Sequence, residues 1–314
     1  MTLHIISLLL SFLVLVFAAD SFVKGASRIA CRWHVSPLLI GLTVVALGTS
    51  APEIVVAITA AVQKQGALAI GSALGSNIAN VGIVLGGCAL FSPIPVRRAI
   101  LRREYIVLLL ATIVAVLLMM DGDLSHRDGL CLIALFTVFL VTAVIYTRKH
   151  RREFSQTSDA EKIDAQGAAW PWLLLGLVLL PITANVFVHH ALGIARSLGV
   201  HESVVGLSMV AIGTSVPELA TSLVGMMKGQ HDMAIGNVLG SNIFNLLAVL
   251  PFPGLFDPGK LPPHFVSRDL PAVMISTLAI FLVGFAWGGR DGRINRWEGA
   301  LLLLGYAAYL WILF

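Results

Sequence analysis

Two glutamates, Glu53 and Glu218, stand inside stretches otherwise apolar enough to lie in a membrane. A charged side chain at that depth costs roughly 2.5–3.5 kcal/mol on insertion scales, so an intramembrane Glu points to function before packing. Each closes the same string. Residues 41–53 read GLTVVALGTSAPE and residues 206–218 read GLSMVAIGTSVPE. Further on, residues 69–80 read AIGSALGSNIAN and residues 234–245 read AIGNVLGSNIFN. Both pairs are offset by 165 positions, with no gap between them. Two carboxylates in matching places of a repeat predict one shared cation site.

The neighbours of each glutamate are oxygen donors. Thr49 lies one helical turn before Glu53 on the same face, Ser50 adjoins it, and Ala46 lies a further turn back on that stripe. Pro52 donates no backbone N–H, so the carbonyl near Gly48 loses its helical partner. A freed carbonyl in a bilayer core is tolerated only where a cavity or an ion satisfies it. The second copy repeats the set with Thr214, Ser215, Pro217 and Glu218. Carboxylates, hydroxyls and carbonyls are hard ligands, suited to Ca²⁺ or Na⁺ rather than to softer metals.

The other repeated string adds Ser76 and Asn80 at i, i+4, and Ser241 and Asn245 in the second copy. Gly71, Gly75, Gly236 and Gly240 predict close helix contacts. Small-residue packing alone would account for these with Asn77 and Asn242, but not for the duplicated Pro-Glu string. No buried Lys or Arg is expected to match the two glutamates. Asp20 is expected to pair with Lys24 at i, i+4 at a helix end, with a place on a permeation path as the alternative. His189 and His190 could bind a metal or relay protons, but no His, Cys or acid stands at ligand spacing beside them, and they read as an interfacial or packed pair. Cys31, Cys88 and Cys131 show neither metal-ligand spacing nor a disulfide framework.

The elements that must position these residues are membrane helices. The chain is 57% hydrophobic and 12% charged, against roughly 25% charged in soluble domains. Ten spans are expected, near 3–29, 36–63, 67–90, 102–120, 128–148, 170–196, 203–228, 232–251, 269–288 and 296–313. The first is long and lacks a cleavage site, and reads as a retained helix. Alternate loops carry sixteen Lys and Arg against five, which puts the richer set in the cytoplasm and both termini outside it. The hydrophilic stretch 148–169 reads as a cytoplasmic linker or short surface helix between two five-span halves, 1–147 and 170–314. An odd number of spans per half inverts the second copy relative to the first. The net charge of +4 is spread over short loops, which excludes a nucleic-acid face.

The strings resemble the α-repeats of the cation/Ca²⁺ exchanger superfamily, whose sodium/calcium exchangers carry a GTSxPE-type and a GSNxxN-type segment in each half. The resemblance covers essentially the whole chain. It implies an all-α membrane protein of ten transmembrane helices in two inverted five-helix repeats. It also implies Glu53 and Glu218 as central Ca²⁺ ligands, with the backbone carbonyls of Thr49 and Thr214. Sodium sites would add the carbonyls of Ala46 and Ala211 and the hydroxyls of Ser50, Ser215, Ser76 and Ser241. Asn80 would complete the centre. Asn245 departs from the pattern, because many prokaryotic relatives carry Asp there.

The function so implied is secondary antiport of Ca²⁺ against Na⁺ across the inner membrane by alternating access, with no cofactor and no enzymatic activity. The second, third, seventh and eighth spans would hold the ions, and the first and sixth would move across them. Two carboxylates in a dry site cannot both stay charged cheaply, so one Ca²⁺, several Na⁺ or protons must neutralise them. A Ca²⁺/H⁺ antiporter is therefore the alternative. A cation channel would use the same oxygens and pass Ca²⁺ without a counter-ion. An intramembrane hydrolase would need a nucleophile–base spacing that the sequence does not show.

Overall fold

The computed structural model describes residues 2–97, 100, 103–154, 168–198, 213–284 and 292–313. Ala211, the 155–167 part of the linker, the beginning of the 203–228 span, and Arg98, Arg102, Lys162 and Arg290 of the loop charge pattern lie outside the described residues. The rest is mostly helical. In chain order the helices are α1 (Thr2–Trp33), α2 (Pro37–Thr49), α3 (Ala51–Val62), α4 (Gly66–Phe91), α5 (Glu104–Met119) and α6 (His126–Phe154). There follow α7 (Trp170–Ser197), α8 (Val216–Met227), α9 (His231–Phe256), α10 (Phe265–Gly284) and α11 (Arg296–Leu313).

Among the described residues, six helices are long and apolar enough to cross a membrane: α1, α4, α6, α7, α9 and α10. Counting the interrupted pair α2–α3 as one span makes seven. The span expected near 102–120 appears as the shorter apolar helix α5, and the described part of the span near 203–228 holds the apolar helix α8. Helix α8 begins only at Val216, because the chain breaks at Ser215 (φ −88°, ψ −2°) just before Pro217. Ser50 breaks the first copy in the same way (φ −87°, ψ 7°) before Pro52. A proline is tolerated in the first turn of a helix and not in its interior, so each string restarts its helix there.

The chain folds into two compact units. The first comprises Met1–Thr49 and Thr142–Asn237, the second Ser50–Val141 and Val238–Phe314. Each unit draws residues from both halves of the sequence.

In the first unit α1 packs against α7 and α8. Leu15, Ala18, Ala19, Phe22, Ala26, Ile29 and Ala30 recur at helical spacing and form its buried stripe. Leu3, Leu9, Leu13 and Phe17, on the other faces of α1, are exposed apolar residues, as a lipid-facing surface requires. Helices α1 and α7 run antiparallel, with Gly25 against Leu173, Phe22 against Gly176 and His4 against Gly193. A Cβ at Gly176 would fall 2.4 Å from that of Phe22, so the close approach needs glycine there. Gly236 sits equally close to the Leu38 carbonyl of α2, as its place in the repeated string predicts.

One sequence expectation is corrected in this unit. Asp20 pairs with Lys228, at 2.7 Å, while Lys24 lies 4.5 Å over the ring of Trp172. Arg28 is buried and donates to the Ala168 carbonyl at 3.1 Å. Both partners are far away in sequence, out of reach of i, i+4 reasoning.

In the second unit α4 packs against α3, α9, α10 and α11, and α5 against α10. Gly86 of α4 and Gly299 of α11 abut backbone to backbone. Among the described residues nothing lies within 4 Å of where a Cβ on Gly75 would stand. Two antiparallel ribbons complete the unit. Strand β1 (Ile94–Val96) pairs with β4 (Gly292–Ile294), and β2 (Asp123–Leu124) with β3 (Gly259–Lys260). Each ribbon joins a strand of one half to a strand of the other. Thr112 of α5 and Thr277 of α10, also 165 positions apart, meet hydroxyl to hydroxyl at 3.2 Å.

Candidate functional site

The polar residues of the repeated strings are buried almost without exception. Glu53, Glu218, Thr49, Ser50, Ser76, Ser241 and Asn245 are fully buried, Asn80 and Ser215 nearly so, and Thr214 is half-buried. Such burial of polar groups in apolar helices is costly unless each is satisfied, so the cluster must be read group by group.

In the first unit the structure brings together Ala46, Thr49, Glu218, Ser222 and Asn237. The Thr49 hydroxyl lies 3.3 Å from the Ala46 carbonyl and donates to Asn237 Oδ1 at 3.2 Å. The Asn237 amide nitrogen donates to Ser222 Oγ at 3.0 Å and to the Glu218 carbonyl at 3.4 Å. One side chain thus ties the end of α2 to the first turn of α8. Sequence reasoning missed Asn237 and Ser222. The signal for Asn237 was its place inside the second repeated string, where the first copy has Ser72. The Ser215 hydroxyl has no hydrogen-bond partner among the described residues.

The second unit holds Ser50, Glu53, Ser76, Asn80, Ser241 and Asn245. Helix α3, which carries Glu53 in its first turn, packs against α4 and against the turn that begins at Asn245. Asn80 donates to Asn242 Oδ1 at 3.1 Å. Asn80 and Asn245 each open a π-helical turn, Asn80–Leu85 and Asn245–Val249. Wide turns of this kind are rare and occur preferentially at functional sites. Asn80 Oδ1 and both polar atoms of Asn245 and of Asn77 have no hydrogen-bond partner among the described residues. Each orphaned buried group costs about 1–3 kcal/mol. Carboxamide oxygens left in that condition are suited to a cation supplied as substrate.

The donor set is therefore carboxylate, carboxamide, hydroxyl and carbonyl oxygen throughout, as Ca²⁺ or Na⁺ coordination requires. Among the described residues no cluster of three or more His, Cys, Asp and Glu offers a softer metal site.

Comparison with known proteins gives a consistent picture. The family described as "Sodium/calcium exchanger protein" matches residues 3–145 and 168–314. The putative antiporter CaxA of Alkalimonas amylolytica is 41% identical over 314 residues, covering 98% of each chain. The sodium/calcium exchanger MaX1 of Methanosarcina acetivorans is 31% identical, covering all of this chain and 99% of its own. The inner membrane protein YrbG of Escherichia coli (strain K12) is 36% identical, covering 98% of this chain and 95% of its own. Among solved structures, the sodium-calcium exchanger NCX_Mj soaked with 2.5 mM Na⁺ and 0.1 mM Ca²⁺ superimposes with a TM-score of 0.81 at 33% identity. That likeness covers 98% of this chain and 97% of the other. By their descriptions CaxA, MaX1 and NCX_Mj are transporters and not enzymes, and the apolar helices make this a multi-pass membrane protein. The chain belongs to the sodium/calcium exchanger protein family.

Proposed function

We propose that this protein is a secondary antiporter that exchanges Ca²⁺ for Na⁺ by alternating access, with Glu53 and Glu218 as the central ligands. The observation that carries this reading is the complete burial of both glutamates at one offset in two copies of a single string. The names of MaX1 and NCX_Mj, both exchangers of sodium and calcium, support the choice of ions.

The ligand set would be the Glu53 and Glu218 carboxylates, the carbonyls of Thr49, Thr214, Ala46 and Ala211, the hydroxyls of Ser50, Ser215, Ser76 and Ser241, and the carboxamides of Asn80 and Asn245. Ca²⁺ takes six to eight oxygens at about 2.3–2.6 Å and would draw on both carboxylates at once. Sodium ions would neutralise the same charges singly. Because either cargo satisfies the same oxygens, their occupancy is mutually exclusive, and exclusion across two alternately open states is exchange. Asn237 would hold the Thr49 turn and the Glu218 turn in register while the ligands change.

The architecture proposed is ten spans in two inverted five-helix repeats, 1–147 and 170–314, joined by the cytoplasmic linker 148–169. The helix breaks at Ser50 and Ser215, the π turns at Asn80 and Asn245, and the reciprocal ribbons support it. Helices α1 and α7 would be the moving pair. The location would be the inner membrane, with both termini periplasmic, in keeping with the loop charges and with the description of YrbG.

Ca²⁺ uptake into Na⁺-loaded proteoliposomes tests the reading. Uptake that needs internal Na⁺ is expected. Uptake driven by a proton gradient alone would make the protein a Ca²⁺/H⁺ antiporter, and uptake with no counter-ion would make it a channel.

A further inference from the structure

Away from the oxygen donors, the first unit carries a donor set of different chemistry. His4 lies near the start of α1 and His190 near the end of α7, and their Nδ1 atoms are 3.0 Å apart. The ring centroids are 5.2 Å apart and the planes are tilted by 58°. The two residues are 186 positions apart, beyond the reach of local spacing.

The contact is built into the packing of the two helices. Gly193 lies one turn after His190, and a Cβ there would stand 2.5 Å from both Cε1 and Nδ1 of His4. The His4 ring can rest against α7 only because position 193 has no side chain. Both rings are partly exposed.

Two facing Nδ1 atoms can share one proton, or both lone pairs can converge on a metal ion. Zn–N bonds of 2.0–2.1 Å at a tetrahedral angle place two nitrogens roughly 3.3 Å apart, a few tenths of an ångström from the present spacing. Imidazole selects Zn²⁺, Cu²⁺ and Ni²⁺, whereas Ca²⁺ and Na⁺ prefer oxygen. We propose that His4 and His190 form a binding site for a divalent transition-metal ion of the Zn²⁺ class, bridging α1 and α7. Water completes the coordination, and binding displaces the shared proton. The site uses none of the residues assigned to Ca²⁺ or Na⁺, so it does not depend on the exchange reading.

His189 is the internal control. It is exposed, its ring stands at 85° to that of His190, and as the next residue on the helix it points about 100° around the axis. Calorimetric titration of ZnCl2 into the full-length protein in detergent micelles tests the proposal. The wild type is expected to bind one Zn²⁺ through this pair. His4→Ala and His190→Ala should each weaken that event by at least the ~10-fold that losing a mere supporting partner costs. Gly193→Ala keeps both imidazoles but displaces one, and should weaken it similarly. His189→Ala should leave it unchanged. Thermal melting without metal shows whether each variant is folded, and His190→Gln replaces any alanine variant that is not. No Zn²⁺ binding by the wild type, or undiminished binding by the folded His4 and His190 variants, would overturn the site.

Discussion

Thr49 and Asn237, 188 positions apart, are joined by a hydrogen bond of 3.2 Å from the threonine hydroxyl to the carboxamide oxygen. Because the Asn237 nitrogen also reaches Ser222 and the Glu218 carbonyl, this bond links the first Pro-Glu string to the second. Asn237 is thus a positioning residue for groups proposed to hold the ion. Asn237→Ala removes three buried hydrogen bonds and leaves their partners to relax. At about 1.4 kcal/mol per factor of ten, loss of even one such bond corresponds to a KM for Ca²⁺ raised on the order of tenfold. The maximal rate should fall less than the affinity. An unchanged KM in Na⁺-loaded vesicles would show that the bond supports packing alone.

The two lysines that follow the Pro-Glu helices report on inversion. Lys64 donates to the Phe256 carbonyl at 2.6 Å, and Lys228 pairs with Asp20. If the halves are inverted, these positions emerge on opposite faces of the membrane, Lys228 in the cytoplasm. Single cysteines at the two sites should react with an impermeant maleimide from opposite sides. Labelling of both from the periplasm would contradict the topology.

Asn245 bears on the coupling ion. An amide has nearly the shape of a protonated carboxyl but releases no proton, so the proposed site holds two acids. Asn245→Asp adds a third carboxylate, fully buried, and like charges in a confined site favour taking up a proton. Ca²⁺ flux by the variant should therefore gain a step of proton inhibition between acid and neutral pH. Coincident flux–pH profiles for variant and wild type would place this residue outside the ion site.

Glycine packing makes a contrast in stability. Gly176→Ala drives a methyl group into Phe22, and overpacking of this kind costs about 1–3 kcal/mol. Gly75→Ala meets nothing within 4 Å among the described residues and should be neutral or gain up to ~1 kcal/mol from helix propensity. Thermal melting in micelles should separate the two. Equal melting temperatures would count against the close approach of α1 and α7.

What the sequence made legible was whatever repeats or is local. The paired strings marked Glu53, Glu218 and their oxygen neighbours, and the prolines at 52 and 217 marked where the helices break. The π turns at Asn80 and Asn245 carry no local signature, because a widened turn is held by packing. Asn237 stayed hidden because its counterpart is a serine, so the feature that sets it apart is not repeated. Long-range pairing was equally out of reach. Asp20 has a plausible partner in Lys24 by spacing and a real one in Lys228, and His190 finds His4 only once α1 and α7 lie antiparallel.

The central claim is that both buried glutamates bind the transported Ca²⁺. Glutamine keeps the size and burial of each side chain and removes one of two charges, so Glu53→Gln and Glu218→Gln should insert and melt like the wild type. The direct measurement is Na⁺-dependent ⁴⁵Ca²⁺ uptake by reconstituted wild type and the two variants, at matched protein incorporation. Uptake at background is expected for both variants. Near wild-type uptake by either one would contradict the claim.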